Sequence, residues 1–313
     1  MRALVTGANG FVGKHLVPFL LQKGYEVCGT YHGHADEGSR ERYRMVPLDV
    51  ADKETMLKLV GEFNPSEIYH LAGVAVSTGQ PRRDYYRVNF GGSLNLFDVV
   101  MQTDPNTRVL FIGSSNEYGP VPAECQPIRE SESLCPTSHY AASKAAADLA
   151  ACSYAAEGLQ VIRVRAFNHN GPGQTTDYVC SRLAKLVAEV SLGLREPVIE
   201  AGNLDAVRDF TDVRDVVRAY WLLLQKARSG DVYNVCSQRA FGVRDTIVKL
   251  ASAAAVEIEV RTRADLLRKT DIPVLVGNRE KIFQDTGWEP QIDFGQTLND
   301  LLLWWRQSLT ERI

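Results

Sequence analysis

The sequence has no long hydrophobic run, no paired cysteine motif and no large excess of charge of either sign. Its longest apolar stretches, such as Tyr220–Leu224 and Leu301–Trp305, are far shorter than the roughly 20 residues with which a helix crosses a bilayer. Lys and Arg number 35 against 38 Asp and Glu, so the formal charge is −3. Without a bulk positive field, the chain is expected to bind neither nucleic acid nor a membrane.

The six cysteines are scattered, and none forms a Cys-x-x-Cys pair. Scattered thiols are typical of small buried side chains in a reducing compartment, and this spacing predicts no metal site. The first residues, Met1–Gly7, contain no basic segment followed by an apolar one, which is the pattern of a secretion signal. We therefore expect a soluble cytoplasmic protein.

The chain does contain 313 residues of ordinary globular composition, with 45% hydrophobic and 23% charged residues. This composition excludes wholesale disorder. Because single hydrophobic cores stop growing at roughly 250–300 residues, the length suits one large α/β domain with a smaller appendage.

Short β-type segments alternate with helical patterns along the first two-thirds of the chain, which predicts a doubly wound parallel sheet of the Rossmann type. The predicted strands are Arg2–Thr6, Glu26–Thr30, Arg44–Pro47, Glu67–Leu71, Arg108–Gly113 and Gln160–Arg165. The predicted helices are Phe11–Gln22, Asp52–Glu62, Asp84–Met101 and Ser138–Glu157.

After Arg165 the alternation becomes irregular, and Asp209–Cys236 resembles a last strand–helix–strand return to the sheet. We predict a dinucleotide-binding domain formed by residues 1–166 and 204–236. Residues 167–203 and 237–313 are predicted to form a smaller α/β lobe that binds substrate and ends in a helix near Gln296–Gln307.

Three glycines follow the first strand at the spacing Gly-x-x-Gly-x-x-Gly. Gly7 permits the tight turn, Gly10 lets the backbone approach a pyrophosphate, and Gly13 lets the helix pack on the strand. A tight turn without a ligand is the alternative. The predicted cofactor-binding residues of this segment are Gly7, Asn9, Gly10, Phe11, Val12 and Gly13.

The end of the second strand indicates which dinucleotide is bound. NAD-selective sheets usually carry an acidic residue there, and Val27–His32 carries none. NADP(H) is therefore the predicted cofactor, with NAD(H) left open, and His32 or Arg40 is predicted to approach the 2′-phosphate. Asp49 and Val50 end the third strand, where they are predicted to hold the adenine; a helix cap by Asp49 is the alternative.

Tyr140 and Lys144 lie one helical turn apart on one predicted helix face. A neighbouring ammonium stabilises a phenolate, so we expect Lys144 to lower the pKa of Tyr140 and to reach the cofactor ribose. Ser114, at the end of the fifth strand, would share the substrate oxygen with Tyr140. Chance occurrence on an amphipathic helix is the alternative for Tyr-x-x-x-Lys alone; the upstream glycine turn and Ser114 argue against it.

Together these residues resemble the extended short-chain dehydrogenase/reductases that act on nucleotide sugars, over the whole chain length. The resemblance is carried by the Thr6–Gly13 opening, His70-Leu71-Ala72, Asn89, the Ser-Ser and Tyr-Gly pieces of 114–119, and Tyr140 with Lys144. It implies cofactor contacts by Leu71, Ala72, Asn89, Tyr140 and Lys144. It also implies a homodimer formed through the helices near 84–101 and 138–157.

Two further segments, Phe167–Gln174 and Gly202–Asp215, most resemble the reductases of GDP-4-keto-6-deoxy-D-mannose, so a GDP-sugar is the expected substrate. Guanidinium groups match phosphate oxygens, which makes Arg208 and Arg268 candidates for the diphosphate. For each Arg a surface ion pair is the alternative, such as one between Arg208 and Asp209 or Asp212. The expected substrate-binding residues are Ser114, Ser115, Asn116, Asn168, Asn203, Arg208, Arg268 and Asp271. Asp271 stands where the relatives' Arg-Pro-[Ser/Thr]-Glu motif has a longer Glu.

Family members that dehydrate a hexose place Glu two residues after the catalytic Ser or Thr, and this chain has Asn116 there. An amide cannot accept the sugar C5 proton. Glu117 is one residue further, and strand alternation predicts that it points to the opposite face. We therefore predict reduction of the C4 ketone to GDP-D-rhamnose. A 4-epimerase, a 4,6-dehydratase and a non-catalytic NADP sensor are the alternatives.

Overall fold

The structure is a computed structural model that describes residues 1–33, 43–75, 81–263 and 272–311. Three predicted site residues, Arg40, Arg268 and Asp271, lie outside these ranges.

The core of the molecule is a seven-stranded parallel sheet in the order β10-β6-β5-β4-β1-β2-β3. Its strands are β1 (Arg2–Thr6), β2 (Glu26–Tyr31), β3 (Arg44–Pro47), β4 (Glu67–His70), β5 (Arg108–Ile112), β6 (Val161–Ala166) and β10 (Val232–Val235). Thr6 of β1 lies opposite His70 of β4, and His70 lies opposite Phe111 of β5. The carboxyl ends of these strands therefore meet at one edge, and the strand order reverses beside β1 and β4, where doubly wound folds bind ligands.

Helices cover both faces of the sheet. They are α1 (Phe11–Gln22), α2 (Lys53–Phe63), α3 (Arg82–Asp84), α4 (Gly92–Thr103), α5 (His139–Ala156), α6 (Val179–Ser191), α7 (Val213–Lys226), α8 (Val243–Ala254), α9 (Glu280–Thr286) and α10 (Phe294–Thr310). A π-helical stretch, Tyr85–Gly91, joins α3 to α4. One buried cluster joins α1 and α7 to the sheet, and a second joins α2, α4 and α5 to its other face. The predicted doubly wound α/β fold is confirmed.

Helix α5 packs closely on the sheet because alanines line its inner face. Ala147 and Ala151 are fully buried. The helix begins after Ser138, whose hydroxyl accepts a hydrogen bond from the Ala141 N–H at 3.1 Å, as an N-cap residue does. This cap places Tyr140 in the first turn of α5, beside the carboxyl end of the sheet.

A smaller sheet forms around β9 (Val207–Asp212). Its neighbours are β7 (Asn168–Asn170), β11 (Ala240–Gly242) and β13 (Val274–Leu275), and a separate pair joins β8 (Val198–Ala201) to β12 (Glu259–Thr262). Helices α6, α8 and α10 share a buried cluster with these strands. Residues 209–236 were predicted to return to the large sheet as strand, helix and strand. The first of these strands is wrong, because β9 pairs with strands of the small sheet. Only β10 joins the large sheet.

Of the six cysteines, Cys28, Cys180 and Cys236 are buried as predicted, whereas Cys125, Cys135 and Cys152 are exposed; all six are free thiols. Within the described ranges, no helix combines the length and apolarity that a bilayer crossing needs. The same residues contain no group of three or more His, Cys, Asp or Glu side chains arranged to hold a metal ion.

Candidate active site

The turn between β1 and α1 is too tight for side chains at two of its glycines. Gly7 has a φ of +68°, and a Cβ there would lie 3.0 Å from the Cα of Ala72. A Cβ on Gly13 would lie 2.5 Å from the carbonyl oxygen of Ala8. Helix α1 begins after Gly10 without a side-chain cap, so its first N–H groups remain available to a ligand. This cradle fits the pyrophosphate of a dinucleotide.

The residues between these glycines are partly accessible. Asn9, Phe11 and Val12 are half-buried. The Phe11 ring stacks on His169 of β7, with ring centroids 6.1 Å apart, so the glycine turn contacts the segment that leads into the smaller lobe.

A buried hydrogen-bond chain holds the end of β4 against the glycine turn. The Thr6 hydroxyl lies 2.8 Å from Nδ1 of His70 and accepts the Ala72 N–H at 3.1 Å. Nε2 of His70 lies 3.1 Å from the Ser93 hydroxyl. Burial, with the nearby Lys144 charge, lowers the pKa of His70 to about 3, so its imidazole is neutral. The predicted cofactor contacts Leu71 and Ala72 thereby lie beside Gly7.

Asn89 is fully buried, and both ends of its amide have protein partners. Its oxygen accepts the Val74 N–H at 2.7 Å, and its nitrogen donates to the Val74 carbonyl and to the Ser143 hydroxyl, each at 3.1 Å. Asn89 therefore ties the loop after β4 to α5. We propose that it supports the cofactor site by fixing this loop rather than by direct contact.

The predicted adenine end brings together His32, Asp49 and a residue that sequence reasoning missed, Arg87. The Asp49 carboxylate accepts the Ala51 N–H and Nη1 of Arg87, each at 2.9 Å. Burial alone would raise the pKa of Asp49, but these hydrogen bonds and the charges of Arg87 and His32 leave it below its ordinary value. Helix α2 is capped by Asp52, so the alternative cap by Asp49 is wrong. Val50 is buried and follows Asp49 in the chain, but it is not part of the group formed by His32, Asp49 and Arg87.

Ser114, Tyr140 and Lys144 meet at the carboxyl end of β5. Ser114 caps a short 3-10 helix, Ser115–Tyr118, and its hydroxyl hydrogen-bonds the Tyr140 phenol. Nζ of Lys144 donates to the carbonyl oxygen of Ile112 at 2.8 Å. The structure thus brings the three predicted catalytic side chains together.

Burial shifts the pKa values of the phenol and the ammonium in opposite senses. It raises the pKa of Tyr140 above its ordinary value, although the hydrogen bond with Ser114 lowers it in part. Burial lowers the pKa of Lys144 to about 8, and the charge of Glu117 acts in the raising direction. The expectation that Lys144 makes the phenol acidic is therefore not met, because burial dominates and the ammonium is bound to Ile112. A phenol that keeps its proton is suited to act as a proton donor.

Glu117 does not line the cleft, and the expected strand alternation is not the reason. It lies in the 3-10 helix rather than on a strand, and its Oε1 accepts the Ser114 N–H at 2.6 Å, which completes a capping box. Its side chain is fully buried. Asn116, in contrast, is partly exposed and lines the neighbouring cleft.

A cleft of about 340 Å³ lies next to Asn116 and the first turn of α5. The predicted substrate residues Asn116, Asn168, Asn203 and Arg208 all line it. Ser115 is buried and is not among the lining residues. Lining residues that sequence reasoning missed include Asp177, Tyr178 and Arg182, which lie at the start of α6. No spacing signal marks them, because only the path of the chain after β7 brings α6 to the cleft.

Arg208 reaches this cleft from β9. Its Nη1 donates to the carbonyl oxygens of Val207 at 2.9 Å and Pro273 at 3.3 Å. Asp209 accepts from Ser237 and from backbone N–H groups, and Asp212 accepts from Arg214 and Thr297. Both carboxylates, which were the alternative partners of Arg208, therefore have partners of their own.

Comparison with known proteins identifies the family of this chain. Residues 4–301 match the family model described as GDP-mannose 4,6 dehydratase. The chain belongs to this family. It is 32% identical to the GDP-6-deoxy-D-mannose reductase of Pseudomonas aeruginosa, over 99% of both chains. It is 28% identical to human GDP-mannose 4,6 dehydratase, over 96% of this chain and 90% of that protein.

Solved structures show the same fold. RMD from Pseudomonas aeruginosa complexed with NADPH superposes with a TM-score of 0.86 at 32% identity, covering 98% of this chain and 99% of that one. The UDP-glucose 4-epimerase of Thermotoga maritima with UDP-glucose gives a TM-score of 0.89 at 26% identity, covering 99% and 100%. The resemblance to nucleotide-sugar short-chain dehydrogenase/reductases is confirmed.

The glycine turn yields a prediction about cofactor binding. Gly13→Ala places a methyl group against the Ala8 backbone, so we expect the free energy of unfolding to fall by about 1–3 kcal/mol. NADPH, the cofactor expected from the sequence, should bind more weakly because α1 moves away from the turn. Thermal melts and fluorescence titration with NADPH measure both effects.

Gly61→Ala is the matched control. Gly61 lies within α2, and a Cβ there meets nothing within 4 Å. This substitution should leave NADPH binding unchanged and raise helix stability by up to about 1 kcal/mol. Unaltered stability and NADPH affinity in Gly13→Ala would contradict the close-packing argument.

Proposed function

We propose that the protein reduces the C4 ketone of GDP-4-keto-6-deoxy-D-mannose to GDP-D-rhamnose with NADPH. Its similarity to a GDP-6-deoxy-D-mannose reductase over 99% of both chains supports this reaction. The fold similarity to RMD complexed with NADPH supports the cofactor.

The observation that carries the proposal is that Asn116, two residues after Ser114, lines the cleft, whereas Glu117 is not among the lining residues. Dehydration needs a base to remove the sugar C5 proton, and the position where the dehydratases carry that Glu is Asn116 here. The adjacent Glu117 is buried and bound to the Ser114 N–H. The Asn116 amide cannot accept the proton and Glu117 does not line the cleft, whereas ketone reduction requires of the side chains only a proton donor.

The side chains then have defined tasks. Tyr140, which burial keeps protonated, donates its proton to the ketone oxygen as that oxygen gains negative charge. The Ser114 hydroxyl hydrogen-bonds the same oxygen and orients it. Lys144, held by the Ile112 carbonyl, would direct its ammonium to the ribose of the bound cofactor. NADPH, when bound in the glycine cradle, supplies the hydride.

The preference for NADPH over NADH is also part of the proposal. The described end of β2 reads Tyr31-His32-Gly33 and carries no carboxylate to bind a ribose 2′-hydroxyl. His32 lies near the Asp49–Arg87 pair, so an imidazole and a guanidinium are within the predicted adenine region. A 2′-phosphate carries the charge that such groups attract.

For the substrate, we propose that Arg208 and Arg182 bind the diphosphate, while Asn168 and Asn203 donate to the phosphate or ribose. All four line the cleft. The roles of Arg268 and Asp271, the homodimer and the division into two lobes remain predictions.

The first test distinguishes the enzyme classes. With the keto sugar nucleotide, the protein should consume NADPH, and NMR should show a 6-deoxyhexose with a hydroxyl at C4. With GDP-mannose alone it should form no keto sugar, because the C5 base is missing. Formation of keto sugar would establish a dehydratase. Isomerisation by purified protein carrying stoichiometric NAD, without consumption of NADPH, would establish an epimerase; cofactor binding without turnover of any keto sugar would favour a sensor.

The second test concerns the proton donor. Tyr140→Phe should lower kcat by about 10²–10⁴-fold, because the phenolic proton is lost, while the Kd for NADPH changes little. In the wild type, activity should fall as pH rises through about 8, since Lys144 loses its charge there. Steady-state rates between pH 6 and 10 measure this profile. Full turnover by Tyr140→Phe would overturn the assignment.

The third test concerns the diphosphate. Arg208→Ala should raise KM for the keto sugar nucleotide about tenfold or more, because a charged hydrogen-bonding group is lost, with Kd for NADPH unchanged. Arg261→Ala is the control, since Arg261 is an exposed residue paired with Glu259. An unchanged KM in Arg208→Ala would refute this role.

A further inference from the structure

The Glu117 carboxylate contacts the backbone next to the candidate catalytic residue Ser114. Its Oε1 accepts the Ser114 N–H, and a Cβ on Gly113 would lie only 2.5 Å from that oxygen. The preceding residue, Ile112, accepts the Lys144 ammonium. The carboxylate therefore lies against Gly113 and Ser114, directly after the residue whose carbonyl binds Lys144.

The second carboxylate oxygen of Glu117 is poorly compensated. Oε2 is buried and makes no hydrogen bond among the described residues. Its nearest cation is Arg165, with Nε at 3.7 Å, and that guanidinium donates to Asp148 at 2.7 and 3.0 Å. Buried charged groups that serve packing alone can often be replaced by apolar side chains without loss of stability, so this arrangement requires another explanation.

We propose that Glu117 is a positioning residue for the reduction: its carboxylate fixes the Ser114 backbone, and so aims the Ser114 hydroxyl at Tyr140 and the substrate ketone. This inference rests on the proposed function. Glu117 touches neither reacting atom; it acts through the capping box that joins its side chain and the Ser114 N–H. A shift of about 1 Å in a group that orients substrate costs on the order of 100-fold in rate.

The charge of Glu117 also bears on Lys144. Burial and the Asp148 charge raise the pKa of Glu117, while the Ser114 N–H, Arg165 and Lys144 lower it in part. Two titratable groups act on Lys144 of α5, namely Glu117 and His70 of β4, and His70 is neutral. When Glu117 is ionised, its negative charge therefore raises the pKa of Lys144.

Two variants separate these effects. Glu117→Leu removes the acceptor, so kcat for the keto sugar nucleotide should fall roughly 10- to 100-fold, while Kd for NADPH stays unchanged. Glu117→Gln retains an oxygen acceptor without the charge. At about pH 6.5, which is below the pH at which wild-type activity falls, this variant should recover most of kcat. At higher pH its activity should fall at a lower pH than that of the wild type, because Lys144 loses its acidic neighbour.

Glu67→Gln is the matched control. Glu67 is also buried, but it lies at the amino end of β4, where it is bound by Tyr25 and Tyr69. This variant should change thermal stability and leave kcat and its pH profile unaltered. If Glu117→Leu folds with wild-type kcat and pH profile, Glu117 is merely structural. If it does not fold, an unshifted alkaline limb in Glu117→Gln overturns the proposal.

If the wild-type protein leaves the keto sugar unchanged, the proposed reaction itself is wrong. An NMR measurement that does not depend on turnover then still tests the contact between Glu117 and Ser114. The short hydrogen bond to a carboxylate should shift the Ser114 amide proton strongly downfield in the NMR spectrum of the wild type. This resonance should move upfield in both Glu117 variants and stay in place in Glu67→Gln. An unmoved Ser114 resonance in the Glu117 variants would refute the positioning contact.

Discussion

The parallel register of the large sheet is the constraint on which the site depends. Parallel strands pair with all carboxyl ends on one side, so Thr6, His70 and Phe111 lie in line across three strands. Every loop that leaves this edge therefore enters the same region. The glycine turn follows β1, the Ala72 loop follows β4, and the Ser114 cap follows β5, and each needs only short connections to reach the others.

Close packing then determines which side chains these loops can carry. The turn after β1 leaves no room for a Cβ at Gly13, and the Thr6–His70–Ser93 chain holds the neighbouring loop in contact with it. Because His70 is buried and neutral, it joins two hydrogen-bonding partners without adding charge. The cradle is therefore formed by backbone that packing has already ordered, so a ligand would bind it without a large cost in conformational entropy.

Burial is also what makes the acid–base groups useful. In water a phenol and an ammonium both hold their protons at neutral pH; here burial strengthens that tendency for Tyr140 and weakens it for Lys144. The result is a firmly protonated phenol and, one helical turn further along α5, an ammonium whose pKa is lowered. The same low-dielectric surroundings explain why the charge of one buried carboxylate, Glu117, can influence Lys144.

Features that depend on local pattern could be predicted before the fold was known. Strand–helix alternation predicted the doubly wound sheet, the glycine spacing predicted the turn, and the i, i+4 spacing predicted that Tyr140 and Lys144 share a helix face; each depends on contacts between near neighbours in the chain. Features that depend on residues far apart in the chain became evident only from the folded molecule. It placed β9 in the small sheet, assigned Glu117 to the Ser114 cap, paired Arg87 with Asp49 and brought Arg182 to the cleft. Pairing partners, burial and the resulting pKa shifts arise from segments far apart in sequence, and no local spacing encodes them.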